Sequence, residues 1–180
     1  MSMKTDLYTA TIPPMKKALG ALSKMLDKAE THAATKADEK RPTAVRMEAL
    51  LNDRIVFDQF PLINQVRIAA DNAKGGAARL AGMEPPTFED TEKTVLELKA
   101  RIEKTVAFLD TIKPADVEGQ EDRAIALPYW RGKHLTAFEY ATEYLIPNFF
   151  FHVTTAYSIL RKNGVDLGKA DYIGGLPLKD

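Results

Sequence analysis

The side chain best placed to do chemistry is His152, the one histidine between Leu145 and Leu160. At helical spacing it shares a stripe with Leu145, Phe149, Ala156 and Ile159, so its imidazole points toward a core. A buried polar group left unpaired costs about 1–3 kcal/mol, so the ring calls for a partner. Gln65 and Asp58 are the candidates: they lie seven residues apart, two turns along one helical face, with Leu62 and Ala69 around them. Asp58 beside the imidazole would orient or charge it and make a general base, and Gln65 would fix a ligand. Asn148, four residues before His152, adds one amide to the same face. His152, Gln65, Asp58 and Asn148 are therefore the candidate ligand-binding residues. Two plainer accounts compete: His152 as a hydrogen-bonded core histidine, and Asp58 as an N-cap just before Phe60-Pro61, which is the preferred role for it.

Metal chemistry finds less support. Zinc or iron takes three or four converging nitrogen or oxygen ligands, commonly begun by a histidine pair four apart on one helix. His32, His134 and His152 fall in three separate segments, and no such pair exists. No metal ligand is assigned and no cofactor is identified. Gly-x-Ser-x-Gly, His-Glu-x-x-His and a phosphate-cradling glycine loop are all absent.

Positioning these residues requires long helices. Tyr8, Ile12, Met15, Leu19, Leu22, Leu26, Ala29 and Ala33 repeat by threes and fours, predicting a first helix to about Ala34 with Pro13-Pro14 in its first turn. Thr35 to Val56 is polar and broken at Pro42, with a possible short helix over Thr43 to Leu51. A second long helix runs from about Pro61 to Leu80 on a stripe of Ile63, Val66, Ala70, Ala73, Ala77 and Leu80. Gly75-Gly76 inside it costs about 1 kcal/mol per glycine, which close helix packing explains better than room for a ligand. Thr87 with Asp90 reads as the cap of a third helix reaching Ile112, its inner face formed by Val95, Leu98, Ile102, Val106 and Leu109. Glu89 with Lys93, Glu97 with Arg101, Lys99 with Glu103, and Arg67 with Asp71 are four-residue pairs expected on solvated faces.

Ile125, Leu127 and Leu135 around Arg131-Gly132 suggest a small β-hairpin, and a fourth helix follows from about Ala137 to Lys162, kinked at Pro147 and stopped at Asn163-Gly164. The tail from Val165 to Asp180 is expected to pack over the bundle without forming an element. Phe149-Phe150-Phe151 point about 100° apart, so at least one must reach the first helix, the tail or a second subunit. Tyr129-Trp130 fits either core packing or a lid at the open end. The fold class is thus all-α, a four-helix bundle with a small β-hairpin before the last helix, whose ligand sites are usually built from inward side chains on facing helices.

Composition narrows the function classes. At 180 residues the chain fits one domain, 1–180, that buries roughly 70% of its unfolded surface and needs no metal or disulfide to fold. Twenty-five basic residues balance 25 acidic ones, interleaved along the chain, so nucleic acid is not an expected partner. No cysteine is present to form a disulfide, thiolate metal site or nucleophile. No run of about 18 apolar residues suggests a membrane span, and the residues from Met1 lack the apolar stretch of a secretory signal, so cytoplasm is the expected location.

Asp58-Gln59-Phe60-Pro61-Leu62, Gln65-Val66, Ala78-Arg79-Leu80-Ala81-Gly82 and above all Pro147-Asn148-Phe149-Phe150-Phe151-His152-Val153-Thr154-Thr155-Ala156-Tyr157 carry a resemblance. Over nearly the whole chain, from Tyr8 to Gly174, the sequence resembles a bacterial family of unknown function within the DinB/YfiT-like metalloenzyme superfamily. The resemblance implies a four-helix bundle, commonly a homodimer, whose better-known relatives hold a divalent metal with one histidine from the second helix and a pair four apart on the fourth. This chain has no histidine between His32 and His134, and only His152 corresponds to a member of the fourth-helix pair. The expected function is small-molecule binding in a pocket near His152 without the three-histidine metal. The rivals are a metal-dependent hydrolase or transferase with altered ligands, such as His152 with Asp58, and a non-enzymatic dimeric interaction protein.

Overall fold

The computed structural model describes residues 6–179. Four long helices build the core: α1 (Leu7–Thr35), α3 (Leu62–Leu80), α4 (Val95–Thr111) and α7 (Ile146–Lys162). Shorter elements join them: α2 (Thr43–Leu51), α5 (Pro114–Val117), the hairpin of β1 (Ala124–Ala126) and β2 (His134–Thr136), α6 (Ala137–Glu139) and α8 (Lys169–Ile173). The strands are antiparallel, with Ile125 opposite Leu135. Helix α3 packs on both α4 and α7, and α1 closes the bundle against the same two helices. The sealed interior takes Ile12, Met15, Leu19 and Leu22 from α1, Val66 and Ala73 from α3, Leu98 and Leu109 from α4, and Phe149, Val153 and Leu160 from α7. Each such large side chain contributes about 1.5–3 kcal/mol through burial, which is what holds short polar connections in place.

Helix α3 is narrow because Ala69, Ala70, Ala73, Gly75, Gly76, Ala77 and Ala78 are all buried. A Cβ at Gly76 would collide with the Leu145 side chain, so that glycine serves close approach of the last helical rod. At Gly75 a Cβ would meet only the end of the Arg79 side chain.

Several expectations are corrected. Pro13 and Pro14 lie in the second turn of α1, not the first, because the helix starts earlier: the Asp6 carboxylate accepts from the Thr9 amide at 2.7 Å. Each proline removes one backbone hydrogen bond, and buried Leu7, Ile12 and Met15 on either side keep the turn helical. The cap of α4 is Thr94 rather than Thr87. Thr94 accepts from the Glu97 amide, and Glu97 accepts from the Thr94 amide at 2.9 Å. The kink at Pro147 takes the form of a π-helical stretch, Tyr140–Leu145, immediately before α7. The widened turn absorbs the proline's missing amide. The tail carries one helical turn, α8, packed on α1, with the Tyr172 hydroxyl 2.9 Å from the Thr154 hydroxyl of α7.

The charges on α3 and α4 are also arranged differently from the four-residue pairs expected. Arg101 is buried at 3% exposure and reaches Asp71 (2.8 Å), Asp90 (3.0 Å), Glu92 (2.8 Å) and the Glu89 carbonyl (3.0 Å). Arg67 binds Glu92 at 2.9 Å instead of Asp71, and Lys74 takes Asp71 at 2.9 Å while lying 4.0 Å from the centre of the Phe88 ring. This network ties the extended segment from Pro85 to Lys93 to the two helices, which is why no helix begins at Thr87.

Candidate functional site

The expected inward stripe of α7 is present: Leu145, Phe149, Ala156 and Ile159 are sealed, and His152 among them keeps 9% exposure. Its partner is on the facing helix. His152 Nδ1 lies 2.7 Å from Gln65 Oε1, and Gln65 Nε2 donates to the Phe60 carbonyl at 2.8 Å. Those two bonds define the ring's chemistry. A carbonyl oxygen only accepts, so the amide nitrogen of Gln65 must face Phe60 and its oxygen must face the histidine. An amide oxygen also only accepts, so the proton of the neutral ring sits on Nδ1 and the lone pair on Nε2. Burial pushes the imidazole's pKa below its ordinary value, favouring this neutral form. Nε2 has no hydrogen-bond partner among the described residues.

One turn before His152, Asn148 Nδ2 donates to Asn72 Oδ1 at 3.2 Å. Asn72 stands seven residues beyond Gln65, so the two amides of α3 face the imidazole and amide of α7 as successive rungs along one seam. The second rung is incomplete: Asn72 Nδ2 is buried with no partner. Asn72 is a residue that the sequence reading missed. The signal was the seven-residue repeat, applied toward Asp58 when the better match ran in the other direction from Gln65.

Asp58 is corrected on both counts. It lies exposed in the loop before α3 and makes no hydrogen bond or ion pair with Gln65 or His152, and Gln65 takes the orienting role assigned to it. Nor does it cap α3. Pro61 occupies the N-cap position without a side-chain bond, and the Leu62 amide donates to the Asp53 carbonyl at 2.9 Å. The other two histidines stand apart from the seam: His134 is exposed on β2 and His32 lies against Gly164 at the far end of α1. Among the described residues no three His, Asp or Glu side chains group as metal ligands.

The surroundings of the seam are aromatic and partly open. Phe149 is sealed, Phe150 meets it edge-on at 5.1 Å and borders a small cavity with Pro14 of α1 and Tyr172 of the tail, and Phe151 is 54% exposed with its ring edge-on to His152 at 5.3 Å. Phe60, which holds Gln65 through its carbonyl, is exposed too, as is Phe57. Trp130 packs edge-on against Tyr140 and Tyr144 at 6.2 and 5.4 Å and so covers the hairpin end by packing. Two larger cavities, of about 720 and 670 Å³, flank α2, and His152 lines neither. No helix among the described residues is long and apolar enough to cross a membrane.

Comparison with known proteins agrees with this architecture. A crystal structure of a DinB family member protein from Shewanella denitrificans superposes with a TM-score of 0.89 at 44% sequence identity, covering 97% of this chain and 95% of that one. No curated protein matches the chain. The family model described as a domain of unknown function, DUF1993, matches residues 7–173. The chain, a helical bundle with a small hairpin, therefore belongs to the DUF1993 family and is similar to a DinB family protein over almost its whole length.

Proposed function

We propose that the seam between α3 and α7 binds a small polar molecule through His152, Gln65, Asn72 and Asn148, without a three-histidine metal. The observation that carries the reading is the pair of unused polar atoms on adjacent rungs: the His152 Nε2 lone pair and the buried Asn72 Nδ2 donor. A ligand that offers a donor to the first and an acceptor to the second would complete both rungs, and each completed bond contributes about 0.5–1.5 kcal/mol net. A neutral imidazole held in one tautomer by Gln65 is also the form that accepts a proton, so acid–base chemistry on the bound molecule is open to it. The donor set, one imidazole nitrogen and three neutral amides, suits hydrogen bonding better than tight coordination of a zinc-type ion, which favours several imidazoles, thiolates or carboxylates. Asp58 is exposed and makes no hydrogen bond or ion pair with His152 that would prepare it as the second ligand of an altered metal site.

The test is a screen of polar fragments against protein carrying ¹⁵N-labelled histidine. Binding is expected to move the His152 Nε2 resonance, and Gln65→Leu is expected to weaken that response while shifting the ring toward the other tautomer. A library that leaves this resonance unmoved, beside a metal titration that shifts it at one equivalent, would replace the proposal with the metal-dependent reading.

A second reading has its own observation. Phe151, 54% exposed, lies against His152, Phe60, whose carbonyl holds Gln65, is exposed too, and Phe57 three residues earlier is 91% exposed; exposed aromatic groups of this kind mark interaction surfaces. A homodimer meeting there would cover the open edge of His152. Light scattering on Phe57→Ser and Phe151→Ser, against the unaltered chain, tests it: a monomer in every case removes this reading and leaves the ligand proposal standing.

A further inference from the structure

Away from the seam, the ends of α1 and α7 and the flank of α2 border an open cavity of about 670 Å³, inside the roughly 300–1,000 Å³ range of small-molecule sites. Its wall is electrically lopsided in a chain of zero net charge: His32, Lys36, Arg41, Arg46 and Lys162 face one acid, Asp53. That acid is already engaged. Burial alone would raise its pKa, yet hydrogen bonds from Asn163 at 2.6 Å and Lys162 at 3.1 Å hold the carboxyl below its ordinary value. Arg46 is clamped at the rim, one amino group on Asp38 at 2.8 Å and Nε on the Arg41 carbonyl at 3.2 Å, which leaves its other amino group unused. Lys36 and Arg41 make no side-chain hydrogen bond or ion pair among the described residues. With Asp53 and Asp38 set against Lys162 and Arg46, two cations remain uncompensated.

Basic residues at helix C-termini often only answer the helix dipole, and His32, Lys36 and Lys162 stand at such ends. Arg41 does not. It precedes α2, whose cap residue Pro42 offers no side-chain acceptor and whose first-turn amides have no partner among the described residues. Val45 of that turn lines the same cavity, so the positive end of α2 adds to the field of Lys36 and Arg41.

We propose that this cavity binds a small organic polyanion, a molecule carrying two or more phosphate or carboxylate groups, with Arg41, Lys36 and the free edge of Arg46 as its contacts. Two anionic groups match the two uncompensated cations, and the unused amino group of Arg46 adds a charged donor suited to either group. The site shares no residue with the His152 seam, so it stands or falls independently of the function proposed above.

Calorimetric titration of the full chain with pyrophosphate, and separately with citrate, at low salt tests the assignment. One equivalent of either anion is expected to bind, and the double variant Lys36→Gln/Arg41→Gln, exposed positions that leave the thermal midpoint in place, is expected to weaken it by at least about tenfold. The double variant Lys133→Gln/Lys169→Gln removes the same charge elsewhere and is expected to bind as the unaltered chain does. The stronger of the two probes distinguishes a phosphate from a carboxylate ligand. The proposal is overturned if neither anion binds at about millimolar concentration or if the two double variants lose binding equally.

Discussion

Helix α3 shows two ways of burying polar groups, one on each side. Toward α4 it presents Arg67, Asp71 and Lys74 to a network in which Arg101 meets three carboxylates and a carbonyl. Toward α7 it presents Gln65 and Asn72 to His152 and Asn148, with one neutral hydrogen bond per rung and two polar atoms unused. The first arrangement meets each of its cations with a carboxylate, though Arg101 Nε and Asp71 Oδ1 make no hydrogen bond, and it pins the 14-residue connection between α3 and α4; the second leaves Asn72 Nδ2 and His152 Nε2 unused with no charge to meet them. The ionic cluster pairs its cations with carboxylates of its own, so a polar ligand would have to displace one, whereas the neutral seam leaves a ring lone pair and a buried amide donor that a polar ligand could meet directly. That difference is the physical basis for placing the candidate function at α7.

The contrast can be broken at its strongest point. Arg101→Leu removes the cation from Asp71, Asp90 and Glu92 and is expected to cost about 3–5 kcal/mol in urea denaturation, with the segment around Phe88 becoming protease-sensitive. A loss below about 1 kcal/mol would make the network a solvated surface feature and erase the distinction.

The seam has its own signature in pH. Burial lowers the His152 pKa, so just below its ordinary value of 6.5 the unfolded chain binds more protons than the folded one. Its contribution to stability is therefore complete above about pH 6.5 and declines as pH falls through the lowered value, with a slope bounded by about 1.4 kcal/mol per pH unit. Subtracting the stability profile of His152→Gln from that of the unaltered chain should isolate this decline. Parallel profiles would mean that the ring titrates as though in water.

The smallest expected effect sharpens the comparison most. Asn72→Leu removes an unpartnered buried donor along with one weak hydrogen bond, so its stability change is expected to stay within about 0.5 kcal/mol of zero, while fragment binding at His152 falls. A loss of 2 kcal/mol or more in thermal or urea unfolding would show the second rung to be structural.

Much of this architecture was legible in the chain. The threefold and fourfold spacing of Leu19, Leu22 and Leu26, of Val66, Ala70 and Ala73, and of Phe149, Ala156 and Ile159 marked three of the long helices, and Asn163-Gly164 marked the end of the last. Gln65 and His152 were legible as a pair because a polar side chain on an apolar stripe requires a partner. Asp58 was misplaced because the seven-residue rule says which residues share a face only while the helix continues, and the helix begins after Pro61. Thr87 and Thr94 carry the same local capping signal, and only the pull of Arg101 on Glu89, Asp90 and Glu92 decides between them. The uncompensated charge beside α2 was not legible at all, since Lys36, Arg41 and Arg46 alternate with acids along the chain and separate from them only in space.

By itself the sequence determined the helices, their inward faces and the burial of one imidazole, because those follow from periodicity and from the cost of hiding polar atoms. Which amide meets that imidazole, which ring nitrogen is left free, which threonine starts α4 and where positive charge collects were decided by the tertiary structure alone. Each depends on contacts between residues tens of positions apart, where hydrogen-bond direction and electrostatic pairing are set by the packing of helices and not by spacing within them.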